Sequence, residues 1–400
     1  MSIFSFTFQR TKNLKYLYAI RLVRDLANQL MIFFLPLYFF NLRFPFMSRF
    51  ELSGLQEGIF NVAMVYLLTY VVCFFLAIPT SRILTKHGVR YGFLLGHLFY
   101  CLYALALFFS IENPYLVLTA AVINGLQINL FWNTYHYSLS KHSSENKIGS
   151  NLGIINFLLT LLAMIAPALG GIIIVTLGYQ TLFLLGLFII LFGVVFSLQL
   201  DNVKVRDHIS FKEFSAWLAE PTFRRLAVSF TGRYFNDASI NLWTLYMFIL
   251  LGSHDSVGYF YSLSLFLALL ISYFAGSYID RDKGRKQFFM SGGFLSFFWV
   301  LRGFMLNIWT ITIVNAFDKL TASYHWLFFD RSWIMRGKGR EALSYFVYRE
   351  MIYSLAAIVF WLFVAVIFYF FIAAWKSLFV AAAIGVLLTL LIKEHKSEQS

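Results

Sequence analysis

The residues of this sequence that could do chemistry are ionisable and amide side chains set inside long apolar stretches. Arg21, Arg24, Asp25 and Asn28 fall at i, i+3, i+4 and i+7, which is one face of a helix. Arg233, Asn236, Asp237, Asn241 and Thr244 form a second such face, and Asn129, Asn133 and His136 a third, with Trp132 beside them. Asp318 and His325 share a fourth. A charged group at bilayer depth costs about 2.5–3.5 kcal/mol or more unless it is paired or wetted, so residues of this kind mark substrate paths, ion paths and proton relays. Asp318 lies roughly 15 Å from either end of its stretch at 1.5 Å per residue, near the bilayer midplane. It is the leading candidate for a coupling or substrate-contacting carboxylate.

Each of these groups also has an architectural reading. Arg21 with Asp25 and Arg233 with Asp237, at i and i+4, could be self-neutralising ion pairs that only position helices. His136 and His325 lie near the ends of their stretches, where an interfacial histidine competes with a ligand as the explanation. Arg302, Arg349 and Glu350 can snorkel or pair, and are read as structural.

The elements that position these residues follow from composition. The 400 residues are 60% hydrophobic, 20% aromatic and only 13% charged, with mean hydropathy +0.72. A soluble domain carries about 25% charged residues. Disorder and nucleic-acid binding are excluded, because the +13 net charge sits on a chain with 48 Phe, 23 Tyr and 9 Trp. Apolar runs fall near 17–41, 59–80, 91–110, 114–137, 150–176, 181–200, 225–251, 257–279, 287–306, 308–329, 344–372 and 375–392, which predicts twelve spans. They are apolar throughout rather than alternating, so the predicted fold class is all-α and not a barrel.

Charge orients the spans. Connections on the side of the termini hold 23 Lys and Arg, against Arg43, Arg49 and Lys376 on the other side. Positive charge resists translocation, so both termini are expected to be cytoplasmic. The first run is long and lacks a small-x-small site, so it is expected to be retained. Cys73 and Cys101 both lie inside spans, no HExxH spacing occurs, and neither a metal nor any other cofactor is expected.

The longest connection, near 201–224, is basic, carries an amphipathic stretch from Phe211 to Leu218, and ends at Pro221. It separates six spans in 1–200 from six in 225–400, and the halves resemble each other. Arg21-x-x-x-Asp25 in span 1 matches Arg233-x-x-x-Asp237 in span 7. Ser81-Arg-Ile-Leu-Thr85-Lys86-His-Gly88-Val-Arg90 after span 2 matches Gly276-Ser-Tyr-Ile-Asp280-Arg281-Asp-Lys-Gly284-Arg285-Lys286 after span 8. Tyr135-His136 in span 4 matches Tyr324-His325 in span 10, with Asn129 and Asp318 each seven residues earlier. Matches in equivalent spans and in the same order are the signature of parallel-repeat transporters.

On these elements the sequence resembles the major facilitator superfamily over essentially its whole length. The superfamily signature Gly-x-x-x-Asp-Arg-x-Gly-Arg-Arg/Lys is kept in the second copy, one residue longer, and loses its glycine and acid to Ser81 and Thr85 in the first. Ala166-Pro167-Ala-Leu-Gly170-Gly171 is similar to the Gly-Pro-x-x-Gly-Gly element of the proton-coupled exporters. Read without the family, Pro167, Gly170 and Gly171 let span 5 bend and approach a neighbour closely. The resemblance implies two pseudo-symmetric six-helix bundles around a cavity lined by spans 1, 4, 7 and 10. It also implies a cytoplasmic latch built on Gly88, Arg90, Asp280, Arg281, Gly284 and Arg285; plain positive-inside charge is the alternative there.

The expected function is secondary active transport of a small molecule by alternating access, driven by an ion gradient and coupled to protons, since no nucleotide-binding GxxxxGK[ST] loop is present. The expected partners are substrate, protons and membrane lipid, with the chain working as a monomer. The alternative is a polytopic membrane transferase acting on a lipid-linked substrate, with His136 or Asp280 at the membrane boundary.

Overall fold

The computed structural model describes residues 11–393 apart from 51, 144–147, 280–283, 306, 340 and 373. The described residues are helical with no strand. Span 1 is Lys12–Met31, continued through a 3-10 turn, Ile32–Phe34, into Leu35–Asn41. Spans 2, 3 and 4 are Gly54–His87, Val89–Phe109 and Leu116–His142. Ile148–Leu198 is one helical run that turns at Gly178, where φ is +81°, giving spans 5 and 6. After a linker helix, Phe211–Ala219, spans 7 to 12 are Pro221–Leu251, His254–Ile279, Gly284–Arg302, Ile308–Arg336, Ala342–Phe370 and Trp375–Thr389. The twelve-crossing all-α fold expected from the sequence is the fold observed.

Local chemistry sets the ends of these helices. Ser53 accepts from Gln56 N and the Gln56 side chain accepts from Ser53 N, a capping box that opens span 2. Asn307 caps span 10 through Trp309 N, and Pro221 occupies the first turn of span 7, where no backbone donor is needed. No breaker interrupts span 10 before Gly337, so it runs to Arg336, past the expected end at 329. That extension brings Asp330 onto the helix.

Among the described residues, six helical stretches are long and apolar enough by themselves to cross a membrane, five of them in the first half. Spans 7 and 10 are diluted by Arg233, Asp237, Asp318, Lys319 and Asp330. Outward-facing Phe188, Phe192, Phe297 and Val366 are exposed, as residues against lipid are. The first and last described segments, near Asn13 and Lys393, lie on one side. Asn13 Nδ2 donates to Asp201 (3.0 Å) and to His142 Nε2 (3.1 Å), Lys338 Nζ donates to Ser143 O (2.5 Å), and Arg336 Nη2 donates to Lys393 O (2.9 Å).

The halves touch along spans 2 and 11 and along spans 5 and 8. Tyr66 stacks on Trp361 with ring centroids 4.6 Å apart, and Gln56 Nε2 donates to Phe368 O (2.9 Å). Gly171 lies against the His254 carbonyl, where a Cβ would stand 2.8 Å from the oxygen, and Gly258 lies against the carbonyl of Pro167. Gly170 faces Leu30 and Phe34 of span 1. Span 5 is thus clamped between spans 1 and 8 by its small residues.

Candidate functional site

A cavity of about 310 Å³ lies between the halves, nearer the side of the termini, with walls from spans 1, 2, 4, 5, 7, 10 and 11. Its polar groups are organised around three arginines. Arg21 Nε meets Asp25 Oδ2 at 2.6 Å, and its guanidinium lies 4.3 Å from the Trp132 ring centroid. Arg233 Nε meets Asp237 Oδ2 at 2.9 Å, with its guanidinium 3.8 Å from the Trp326 ring. Arg349 Nη1 meets Glu350 Oε2 at 2.7 Å, with its guanidinium 4.7 Å from Trp333 and 4.8 Å from Tyr353. Asp237 also accepts from the Tyr353 hydroxyl and from Asn236 Nδ2 (3.2 Å). Each arginine is therefore held by a carboxylate on one edge and an aromatic face on another.

The fourth carboxylate on the cavity differs. Asp330 accepts one hydrogen bond from Trp333 Nε1 (3.0 Å) and has no ion pair among the described residues. His136 stacks on Trp132 at 5.2 Å and meets Trp333 of the opposite half edge-on at 4.8 Å.

The residues singled out from the sequence separate into two groups. Arg21, Arg233, Asp237 and His136 line the cavity, and Asp25 stands behind Arg21. Asp318, Asn129, Asn133 and His325 do not line it. Asp318 Oδ2 is bound to Arg302 Nη2 at 2.9 Å, both side chains almost fully buried, with Arg302 also donating to Asn315 Oδ1 (3.2 Å) and lying over Trp299 and Trp243. The geometry explains the displacement. Asp318 precedes Asp330 by twelve residues, about 120° round the helix and about 18 Å along it, so it faces span 9 instead of the cavity. His325 joins spans 9, 10 and 12 through Ser291 Oγ (3.1 Å) and Thr389 Oγ1 (2.9 Å). Asn129 shares the face of His136 but lies about 10 Å further along, where its Nδ2 donates to Cys73 O of span 2 (2.7 Å). Asn133 is buried without a hydrogen bond among the described residues.

The two signature turns also serve local roles. Gly88 has φ +98° and abuts Asn202, whose Oδ1 accepts from Arg90 N (3.2 Å) and whose Nδ2 donates to His87 O (2.9 Å). Arg90 Nε donates to Leu200 O (2.8 Å), so this turn is tied to the linker within its own half. The Gly284 carbonyl accepts from Tyr324 (3.0 Å), and Arg285 lies over Phe289. Asp280 and Arg281 lie outside the described residues. On this side the halves meet through Lys338 with Ser143 and Lys141 Nζ with Gly339 O (3.2 Å).

Arg349 and Glu350, read as structural, and Asp330, Trp333, Tyr70 and Tyr353, not singled out, are cavity residues. One signal was present: Arg349 precedes Tyr353 by four residues, the spacing of the arginine-led pairs in spans 1 and 7. Asp330 fell just past the apolar run and so read as loop.

Twelve crossings around a central polar cavity define a polytopic membrane transporter. The model of the Major Facilitator Superfamily matches residues 17–253, more than half of the chain, and the chain belongs to that superfamily. It is a transporter by family, not the membrane transferase that stood as the alternative. No curated protein matches the sequence. Among solved structures the chain is similar to the human organic anion transporter MFSD10, with 13% identity and TM-score 0.73, over 96% of this chain and 99% of that one. It is similar to the E. coli fucose:proton symporter FucP, with 12% identity and TM-score 0.62, over 95% and 97%. It is also similar to the POT family transporter PepTSo, with 10% identity and TM-score 0.66, over 96% and 98%.

Proposed function

We propose that the chain is a proton-coupled secondary transporter of a small organic anion, with residues 1–200 and 225–400 rocking about the cavity and 201–224 joining them on the cytoplasmic side. The observation that carries this reading is the set of three arginines converging on one cavity of about 310 Å³ with aromatic walls. That volume suits a small solute. Guanidinium groups supply paired donors for a carboxylate or sulfonate, and Trp132, Tyr135 and Trp333 supply faces for its apolar body. The likeness to an organic anion transporter and to a proton symporter fits this reading.

An anion entering such a site competes with Asp25, Asp237 or Glu350 for an arginine, which links anion binding to the charge of the cavity carboxylates. Coupling falls to the cavity carboxylates instead of Asp318, whose oxygen is occupied by Arg302. The test is uptake of radiolabelled aromatic carboxylates into proteoliposomes, with a neutral sugar as comparator. Accumulation that follows an imposed proton gradient, collapses with a protonophore and leaves the solute chemically unchanged is expected. Saturable uptake of the sugar but of no carboxylate would overturn the substrate class, and gradient-independent uptake would overturn the coupling.

A further inference from the structure

We infer that Asp330 is the residue whose protonation couples the proton gradient to transport. The inference rests on the reading of the cavity as an anion site and names the carboxylate that reading leaves open.

The charge count of the cavity comes first. Its lining cations are Arg21, Arg233 and Arg349 and its lining anions are Asp237, Glu350 and Asp330, while Asp25, behind the wall, has both Arg21 and the buried Arg24 beside it. With every group ionised, the lining is balanced, three charges against three. The negative charge brought in by a substrate is left uncompensated until one carboxylate is neutralised. One proton restores the balance.

The pairing then selects where that proton goes. Asp25, Asp237 and Glu350 each have a guanidinium at 2.6–2.9 Å. A cation at that distance competes with a proton for the same oxygens. Asp330 has no such competitor among the described residues, only the indole N–H of Trp333. The other titratable groups facing the cavity are Tyr70, Tyr135, Tyr353 and His136. Tyr353 is engaged as a donor to Asp237, and the His136 ring is sandwiched against Trp132 and Trp333. Arg331, next to Asp330, points to the exposed side of the helix. Asp330, Arg233 and Tyr135 line the same cavity, and the ion pair of Arg233 is made with Asp237.

Position completes the case. Asp330 lies on span 10 two turns before the turn whose Lys338 and Gly339 meet Ser143 and Lys141 of the other half. A carboxylate at this depth is reached from the side of the termini when those contacts open, and is covered when they close. Protonation at Asp330 and anion binding in the same cavity are then thermodynamically linked, each favouring the other.

The experiment is anion binding and transport in Asp330→Asn, a permanently neutral mimic of the protonated state. Wild-type protein should lose affinity for the aromatic carboxylate as pH rises, by up to about tenfold per pH unit, the limit for one linked proton. In Asp330→Asn, affinity should vary less than about twofold per pH unit, counterflow should persist, and gradient-driven accumulation should fall to the level seen without a gradient. Retained pH dependence and retained accumulation in the variant would overturn the inference, as would loss of counterflow in a folded variant, which would make Asp330 a substrate contact. Should Asp330→Asn fail to fold, Trp333→Phe removes the one donor to the carboxylate and should move the pH midpoint of binding upward; an unmoved midpoint would overturn it. Failure of the anion reading looks different, because wild-type protein would then show no carboxylate flux at all.

Discussion

Removing the carboxylate of Asp318 should break the protein's stability before it touches transport. Asp318 and Arg302 meet at 2.9 Å with side chains 8% and 2% exposed. The other contacts of Arg302 among the described residues are neutral: Asn315 Oδ1 at 3.2 Å and the rings of Trp299 and Trp243 at 4.1 and 5.0 Å. Its Nε and Nη1 have no hydrogen-bond partner among the described residues. Asp318→Asn leaves a buried guanidinium without its one counter-charge among the described residues, a change that costs about 3–5 kcal/mol for pairs of this burial. Replacing both residues, Arg302→Leu with Asp318→Leu, removes the unpaired charge and should recover much of the loss, since a buried pair and an apolar pair of similar volume are close in stability. The assay is thermal unfolding in detergent together with yield from the membrane, comparing wild type, each single variant and the double variant. A single variant far below the double one is expected. An Asp318→Asn protein as stable as wild type but unable to couple transport to the gradient would refute this and return Asp318 to the transport cycle.

Two further outcomes follow from contacts on the side of the termini. Lys141→Ala with Lys338→Ala removes two donors that bridge the halves, worth about 0.5–1.5 kcal/mol each; a cysteine at Asn156 on the cavity wall should then react at least several-fold faster with a thiol reagent applied from that side, and an unchanged rate would show that these contacts do not hold the halves together. Glu213 on the linker helix is held below the usual carboxylate range, first by the hydrogen bond from His208 (2.6 Å), with Tyr348 of span 11 (2.9 Å) adding to it. A carboxylate depressed in the folded state stabilises above its unfolded pKa and loses that contribution as pH falls through the lower folded value, so hydrogen exchange in 211–219, corrected for intrinsic rate, should rise between pH 7 and strongly acid pH and should be flat in Glu213→Gln.

The fold was legible because its cause is one-dimensional. Twelve apolar runs, the turn glycines at 88 and 178 and the long basic connection can be read without knowing what touches what. The i, i+4 spacing of Arg21 with Asp25 and of Arg233 with Asp237 was legible for the same reason, since one helix fixes both partners. What was not legible is which helix each face meets. Asp318 drew attention by its depth, yet its partner Arg302 lies on another span, sixteen residues away in sequence and across a turn. Asp330 was passed over because hydropathy marks where the apolar run ends, whereas the helix ends only at Gly337. Hydropathy reports the bilayer, and the cavity begins where its signal fades.

The internal repeat adds a constraint that neither half shows alone. Both halves carry an Arg–Asp pair on their first span, but the first half puts only Arg21 on the cavity wall, with Asp25 behind it. Its other deep arginine, Arg24, is turned away, donating to Gln127 Oε1 (2.6 Å) and lying 3.8 Å from the Phe131 ring. The second half contributes Arg233 and Arg349 against Asp237, Glu350 and Asp330. All the carboxylates on the cavity wall therefore belong to one half, while Trp132, Tyr135 and His136 of the other present an aromatic wall to them. Two halves of the same design would hold a substrate symmetrically, with no group to tell a loaded proton site from an empty one. On the proposed coupling, that departure from symmetry in spans 10 and 11 would let rocking about a common cavity follow protonation on one side of it.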